Sequence, residues 1–156
     1  MSRTRADDPF EILLIEDNPG DVRLVREAVA ESTVVCSVSV YTDGEAALRE
    51  LSRRSRPDVD APDLTLLDLN LPKVDGNALL EAIGVETIDR IGPIVVFSGS
   101  QAAEDVERTK AFGVHAYVVK PADPFEYIST IRSIVESVAL DGSVCLENGA
   151  GRNQHR

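Results

Sequence analysis

No apolar run in this 156-residue chain approaches the roughly 20 residues a bilayer-crossing helix needs. A helical membrane span is therefore excluded. Cysteine is scarce: Cys36 and Cys145 are too few and too far apart for a disulfide framework or a tetrahedral zinc site. Lysine occurs only at positions 73, 110 and 120, and 16 basic residues face 27 acidic ones, a formal net charge of -11. That balance disfavours nucleic-acid binding through a basic surface. An acid-rich, lysine-poor composition also keeps proteins soluble in molar salt, so a halophilic source is expected. The first ten residues carry charge with no apolar stretch before Ile12; they do not read as a secretion signal, and a cytoplasmic protein is expected.

What is present reads as globular, with 43 % hydrophobic and 28 % charged residues in a length that suits one domain. Five β-type runs recur, at Ile12 to Ile15, Val34 to Val40, Leu64 to Leu67, Ile94 to Phe97 and Ala116 to Val119. Helical spacing follows each: Val22, Val25 and Val29; Ala47, Leu48 and Leu51; Leu79, Leu80 and Ile83; Val106, Lys110 and Phe112; then a long stripe through Phe125, Ile128, Ile131, Val135 and Val138. Strands alternating with helices imply a parallel sheet covered on both faces. The second run alternates Cys36, Val38 and Val40 with Ser37 and Ser39, which suits a strand nearer the sheet edge. Asn18 before Pro19 and Asp123 before Pro124 mark helix starts, and Glu126 adds a capping-box spacing. The expected organisation is a tail at 1–9, one domain at 10–140 and a loose tail at 141–156.

Ligands of open parallel sheets sit beyond the carboxyl ends of the strands. Here those ends carry Glu16-Asp17 after the first run, Asp68 after the third, Ser98-Gly99-Ser100 at the fourth and Lys120-Pro121 after the fifth. Each has a plainer explanation alone: Glu16 and Asp17 can favour a helix N-terminus, Ser98 suits a turn, and Lys120 can snorkel to solvent. Their concurrence at one sheet edge argues for a site. Three gathered carboxylates either raise a pKa or enclose a cation. An all-oxygen donor set without histidine or cysteine favours a hard, partly hydrated cation such as Mg²⁺.

These residues resemble the receiver domains of two-component response regulators. The likeness spans about Phe10 to Leu140 and is strongest in Ile12-Leu13-Leu14-Ile15-Glu16-Asp17-Asn18, in Leu66-Leu67-Asp68-Leu69-Asn70-Leu71-Pro72-Lys73-Val74-Asp75-Gly76 and in Tyr117-Val118-Val119-Lys120-Pro121. The first loop and the Leu-Asn-Leu-Pro stretch look like stand-alone receivers found beside phytochrome-type sensor kinases. The resemblance implies an α/β, flavodoxin-like (βα)5 fold: a doubly wound five-stranded parallel sheet in the order 2-1-3-4-5. It implies that Asp68 is the phosphoacceptor, and that Glu16, Asp17, Asp68 and the backbone carbonyl of Asn70 hold Mg²⁺. By the same resemblance Lys120 and Ser98 stabilise the phosphoryl group, Ser98 and Tyr117 form the switch, and the Lys120-Pro121 bond is a candidate cis bond. Tyr117 is expected to rotate inward after phosphorylation.

The resemblance further implies a phosphoacceptor rather than an enzyme, with slow loss of the phosphoryl group. Its donor would be a sensor histidine kinase or phosphotransfer protein. With no output segment read after Leu140, signalling by contact is expected, on a face built from the fourth helix, fifth strand and fifth helix. The surplus apolar residues of the last stripe, including Tyr127 and Ile134, suggest either a homodimer or partner surface or, equally, packing of the whole stripe on the sheet. Three other functions are compatible with parts of this pattern. A pseudo-receiver would bind partners without phosphorylation. A haloacid-dehalogenase-type phosphatase needs a second acid where Asn70 stands. A flavin-binding flavodoxin wants a phosphate loop where Glu16 and Asp17 would repel it.

Overall fold

A computed structural model of the chain describes residues 8–141; the remaining parts of the two expected tails, residues 1–7 and 142–156 with Cys145, lie outside the described residues. Five parallel strands, β1 (Phe10–Ile15), β2 (Cys36–Tyr41), β3 (Leu64–Leu67), β4 (Ile94–Ser98) and β5 (Ala116–Val119), form one sheet in the order β2-β1-β3-β4-β5. Six helices alternate with them: α1 (Pro19–Glu31), α2 (Gly44–Arg54), α3 (Gly76–Ile83), α4 (Val85–Ile91), α5 (Ala103–Ala111) and α6 (Pro124–Asp141). This is the expected receiver topology.

The strand period of two sorts residues between two cores. Ile12, Leu14, Leu64, Leu66, Val95, Phe97, Ala116 and Val118 face α1 and α6. Leu13, Ile15, Leu67, Ile94, Val96 and Tyr117 face the opposite layer, built from α2 to α5. Continuous apolar runs follow from this double coverage, and each fully buried Leu or Ile contributes about 1.5–3 kcal/mol relative to exposure. At the sheet edge, β2 keeps Cys36, Val38 and Val40 half-buried against the first core, with Ser37 and Ser39 exposed.

Helix starts obey local chemistry. The Asn18 side chain accepts from the N–H groups of Gly20 at 2.8 Å and Asp21 at 3.1 Å, and Asp123 accepts from the Glu126 N–H at 3.0 Å. Asp43 and Asp75 cap α2 and α3 in the same way, through Ala46 at 2.8 Å and Ala78 at 2.9 Å. Between α3 and β4 lies a helix that the sequence pattern does not reveal: α4 follows Gly84 at φ 91°, has no side-chain cap, and buries only Ile88 and Ile91. The helix expected after the fourth strand is therefore α5. Its buried position is Thr109, whereas Lys110 faces solvent.

The last stripe takes the packed alternative. Tyr127 and Ile134 are 2 % and 0 % exposed, inside the first core, while Phe125 is 80 % exposed. The surplus is taken up because α6 packs on α1 as well as on the sheet, so Tyr127 and Ile134 supply no dimer surface. The helix also runs to Asp141, one residue into the segment read as tail.

Candidate metal centre

Parallel pairing of β1 with β3 aligns Ile15 with Leu67, and the Asp68 N–H donates to the Ile15 carbonyl at 3.0 Å. The residues that follow each strand therefore emerge side by side. Oxygens of Glu16, Asp17 and Asp68 lie within 4.8 Å of one another, Glu16 and Asp68 buried and Asp17 exposed. They line an open cleft of about 510 Å³ with Asn18, Pro19, Asp21, Asn70, Gly99 and Lys120. Asn70 is exposed at the rim, and its N–H approaches Asp68 Oδ1 at 3.4 Å.

Lys120 reaches the acids from the end of β5. Its Nζ lies 2.8 Å from Glu16 Oε1, 3.0 Å from Asp21 Oδ2 and 3.5 Å from Asp68 Oδ2. Burial alone would lower the lysine's pKa, but the hydrogen bond and charge of Glu16, with Asp68 and Asp21, outweigh it and hold the ammonium above its ordinary value. Burial pushes the Glu16 carboxyl up to about 7, helped by the Asp68 charge, although Lys120 and the Asn18 N–H pull the other way. All described peptide bonds are trans, including Lys120-Pro121, so the expected cis bond is absent. A trans bond is favoured by about 0.5–1 kcal/mol at X-Pro, and the ammonium reaches its partners without the alternative isomer.

Ser98 is fully buried, and its Oγ accepts from the Ser100 N–H at 3.2 Å. Tyr117 is 2 % exposed, and its hydroxyl donates to the Ser100 carbonyl at 2.8 Å. The ring is thus already turned inward, contrary to the expected later rotation, because its hydroxyl finds an acceptor in the β4-α5 loop and its ring joins the second core. Ser100 Oγ in turn donates to Asp105 Oδ2 at 2.6 Å, which ties the β4-α5 loop to the start of α5.

The sequence reading brought together Glu16, Asp17, Asp68 and Lys120, and the structure does the same. It did not single out Asp21. That acid sits in the first turn of α1, and its position three residues after the Asn18 cap was the available signal. Charge and donor type suit a hard divalent cation: all donors are oxygens, two are buried, and one side opens to water, as a hydrated Mg²⁺ or Mn²⁺ requires.

Comparison with known proteins agrees with this geometry. Residues 12–132 match the family description "Response regulator receiver domain". The chain is 34 % identical over 131 residues to the probable methanogenesis regulatory protein FilR2 of Methanothrix harundinacea, covering 84 % of each. It is 35 % identical over 137 residues to the response regulator Rcp1 of Synechocystis sp., covering 85 % of this chain and 93 % of the relative. Among solved structures, the phosphorylated cyanobacterial phytochrome response regulator RcpA matches with TM-score 0.73 and 34 % identity, over 90 % of this chain and all of that one. The Mn²⁺-bound form of Rcp1 matches with the same TM-score, identity and coverage. These comparisons lend no support to the halophilic source suggested by the acid excess. Among the described residues, no helix is long and apolar enough to cross a membrane.

Proposed function

Because the chain belongs to the response regulator receiver family, we propose that Asp68 accepts a phosphoryl group from a phosphohistidine on a sensor histidine kinase or phosphotransfer protein. The observation that carries this reading is the placement of a buried carboxylate between two further acids and a lysine ammonium 3.5 Å away. A carboxylate oxygen of Asp68 attacks phosphorus, the phosphorus–nitrogen bond breaks, and the imidazole leaves with its electron pair. The protein's task is alignment and charge neutralisation, since the transferring group spreads negative charge over three equatorial oxygens. Lys120 supplies a positive charge at that position. Glu16, Asp17, Asp68 and the Asn70 carbonyl would hold Mg²⁺, which when bound neutralises the same oxygens. Two similar solved structures, phosphorylated RcpA and Mn²⁺-bound Rcp1, support both roles.

Signalling by contact follows from how the site is wired. A phosphoryl oxygen near Ser98 competes for its hydroxyl, which now accepts from Ser100; Ser100 is also the acceptor for Tyr117 and the donor to Asp105. A charge placed on Asp68 therefore reaches α5 and β5 through three bonds, and a downstream protein would read the face that these elements form with α6.

The test is labelling with acetyl phosphate and Mg²⁺, located by intact mass and peptide mapping. Labelling is expected on the peptide containing Asp68 and is expected to vanish in Asp68→Asn; a label that survives the substitution places the acceptor elsewhere.

A pH dependence accompanies metal binding. Glu16 has its carboxyl pKa raised to about 7 by burial, so it is largely protonated at pH 6 and largely ionised at pH 8. Binding at the lower pH must expel that proton. Mg²⁺ affinity is expected to rise about tenfold from pH 6 to pH 8. Isothermal titration in buffers of different ionisation enthalpy should show proton release at pH 6, and a flat affinity profile contradicts the assignment of Glu16.

A further inference from the structure

The phenol of Tyr127 is a buried polar group that no resting contact explains. Its residue is 2 % exposed, its ring stacks edge-on against Phe97 with centroids 5.0 Å apart, and its hydroxyl has no hydrogen-bond partner among the described residues. An unpaired buried hydroxyl is costly, and a phenylalanine would fill the same ring position without that cost. The hydroxyl is not isolated from charge. The carboxylates of Asp21, Glu16 and Asp68 all act on the phenol, Asp21 most strongly among them and near enough to begin a hydrogen bond, although no bond of ordinary length and angle joins the two. The placement follows from the fold: Tyr127 lies in the first turns of α6, Asp21 lies in the first turn of α1, and these two helices pack side by side on one face of the sheet.

Among the described residues, the cation paired with Asp21 is the Lys120 ammonium at 3.0 Å. Phosphoryl oxygens on Asp68 would compete with Asp21 for that ammonium, which now stands 2.8 Å from Glu16 and 3.5 Å from Asp68 Oδ2. Its transfer to them would strip Asp21, whose side chain is only 20 % exposed, of its donor. A partly buried carboxylate without a donor opposes that transfer.

We propose that Tyr127 is a positioning residue for phosphoryl transfer: its unpaired hydroxyl takes over the Asp21 oxygen that Lys120 vacates, so that lysine is free to serve the group on Asp68. This rests on the phosphoacceptor reading above. The hydroxyl is held in reserve, unpaired at rest and paired in the phosphorylated state. Neither the ring's packing nor the cap of α6 needs it. The two unsatisfied groups created by the lysine's motion are thus matched to each other across the α1-α6 contact.

The test uses Tyr127→Phe in the full chain, with beryllofluoride and Mg²⁺ as the probe of the phosphorylated state. Since the hydroxyl is unpaired at rest, the variant is expected to melt at the same temperature as the parent or higher without the probe. Its beryllofluoride affinity is expected to fall about tenfold, the worth of one hydrogen bond to a charged group. The same loss should disappear when Tyr127→Phe is made in an Asp21→Ala background, which removes the acceptor. A lower resting melting temperature would show that the hydroxyl is already paired and overturn the proposal. So would an unchanged affinity, or an equal loss in both backgrounds. If the parent itself fails to bind the probe, the phosphoacceptor reading falls with the proposal; if the parent binds and Tyr127→Phe binds equally, only the proposal falls.

Discussion

Lys120→Met is expected to slow Mg²⁺-dependent labelling of Asp68 by about 100-fold, the scale of removing one preorganised charge from a transferring group. Metal binding should move in the other direction. The ammonium occupies the space and the charge that a cation would use, at 2.8 Å from Glu16 and 3.5 Å from Asp68. Without it, Glu16, Asp21 and Asp68 repel one another and the cation has no internal competitor. In the absence of metal the variant is expected to lose about 2 kcal/mol of stability, less than the usual cost of breaking a fully buried pair because the cleft is open and Glu16 can take up a proton. Melting curves in chelator and in Mg²⁺, beside labelling rates, check all three effects. Parental labelling rates in the variant would remove Lys120 from the chemistry, and weaker Mg²⁺ binding would show that it helps to organise the acids.

Gly44→Ala should produce the second large effect, through backbone packing. A Cβ on Gly44 would stand 1.8 Å from the Val74 carbonyl oxygen and 2.6 Å from its carbon, backbone atoms that cannot swing aside. The contact is close because the Gly44 N–H points at the Pro72 carbonyl, 3.3 Å away, and Lys73 turns through φ 69° beside it with its ammonium 3.8 Å from Asp43. Overpacking of this kind costs about 1–3 kcal/mol, and the upper end is expected where backbone must shift. Because that loop also carries Asn70, Mg²⁺ affinity should fall together with stability. Urea melts and metal titration check it, with Gly99→Ala as the comparison, since a Cβ there meets nothing within 4 Å. Equal stabilities for the two variants would show that the β3-α3 loop yields freely.

Much of this architecture was legible beforehand. The limits of β3 and β5 match the runs at Leu64 to Leu67 and Ala116 to Val119, because strands buried on both faces are built largely of apolar residues, with Thr65 the one polar residue buried in β3. Asn18 and Asp123 announced their helices because capping is local. By contrast, α4 escaped notice because it is two turns long, begins at a glycine without a side-chain cap, and shows the core only Ile88 and Ile91. The placement of Tyr127 and Ile134 stayed open for a related reason. A stripe wider than one face is ambiguous until a second neighbour is known, and here α1 is that neighbour.

The sequence alone determined that the protein is a parallel αβ receiver and that Glu16, Asp17, Asp68 and Lys120 meet at one sheet edge. Polar residues placed directly after apolar strands have nowhere else to go, and strand order brings them together. Tertiary structure decided which carboxylates hold the ammonium, that Asp21 is among them, that Tyr117 already faces inward, that Lys120-Pro121 is trans, and that the Tyr127 hydroxyl is buried without a partner. Those outcomes turn on competing contacts between residues distant in the chain and nearly equal in free energy, so no local pattern records which contact prevails.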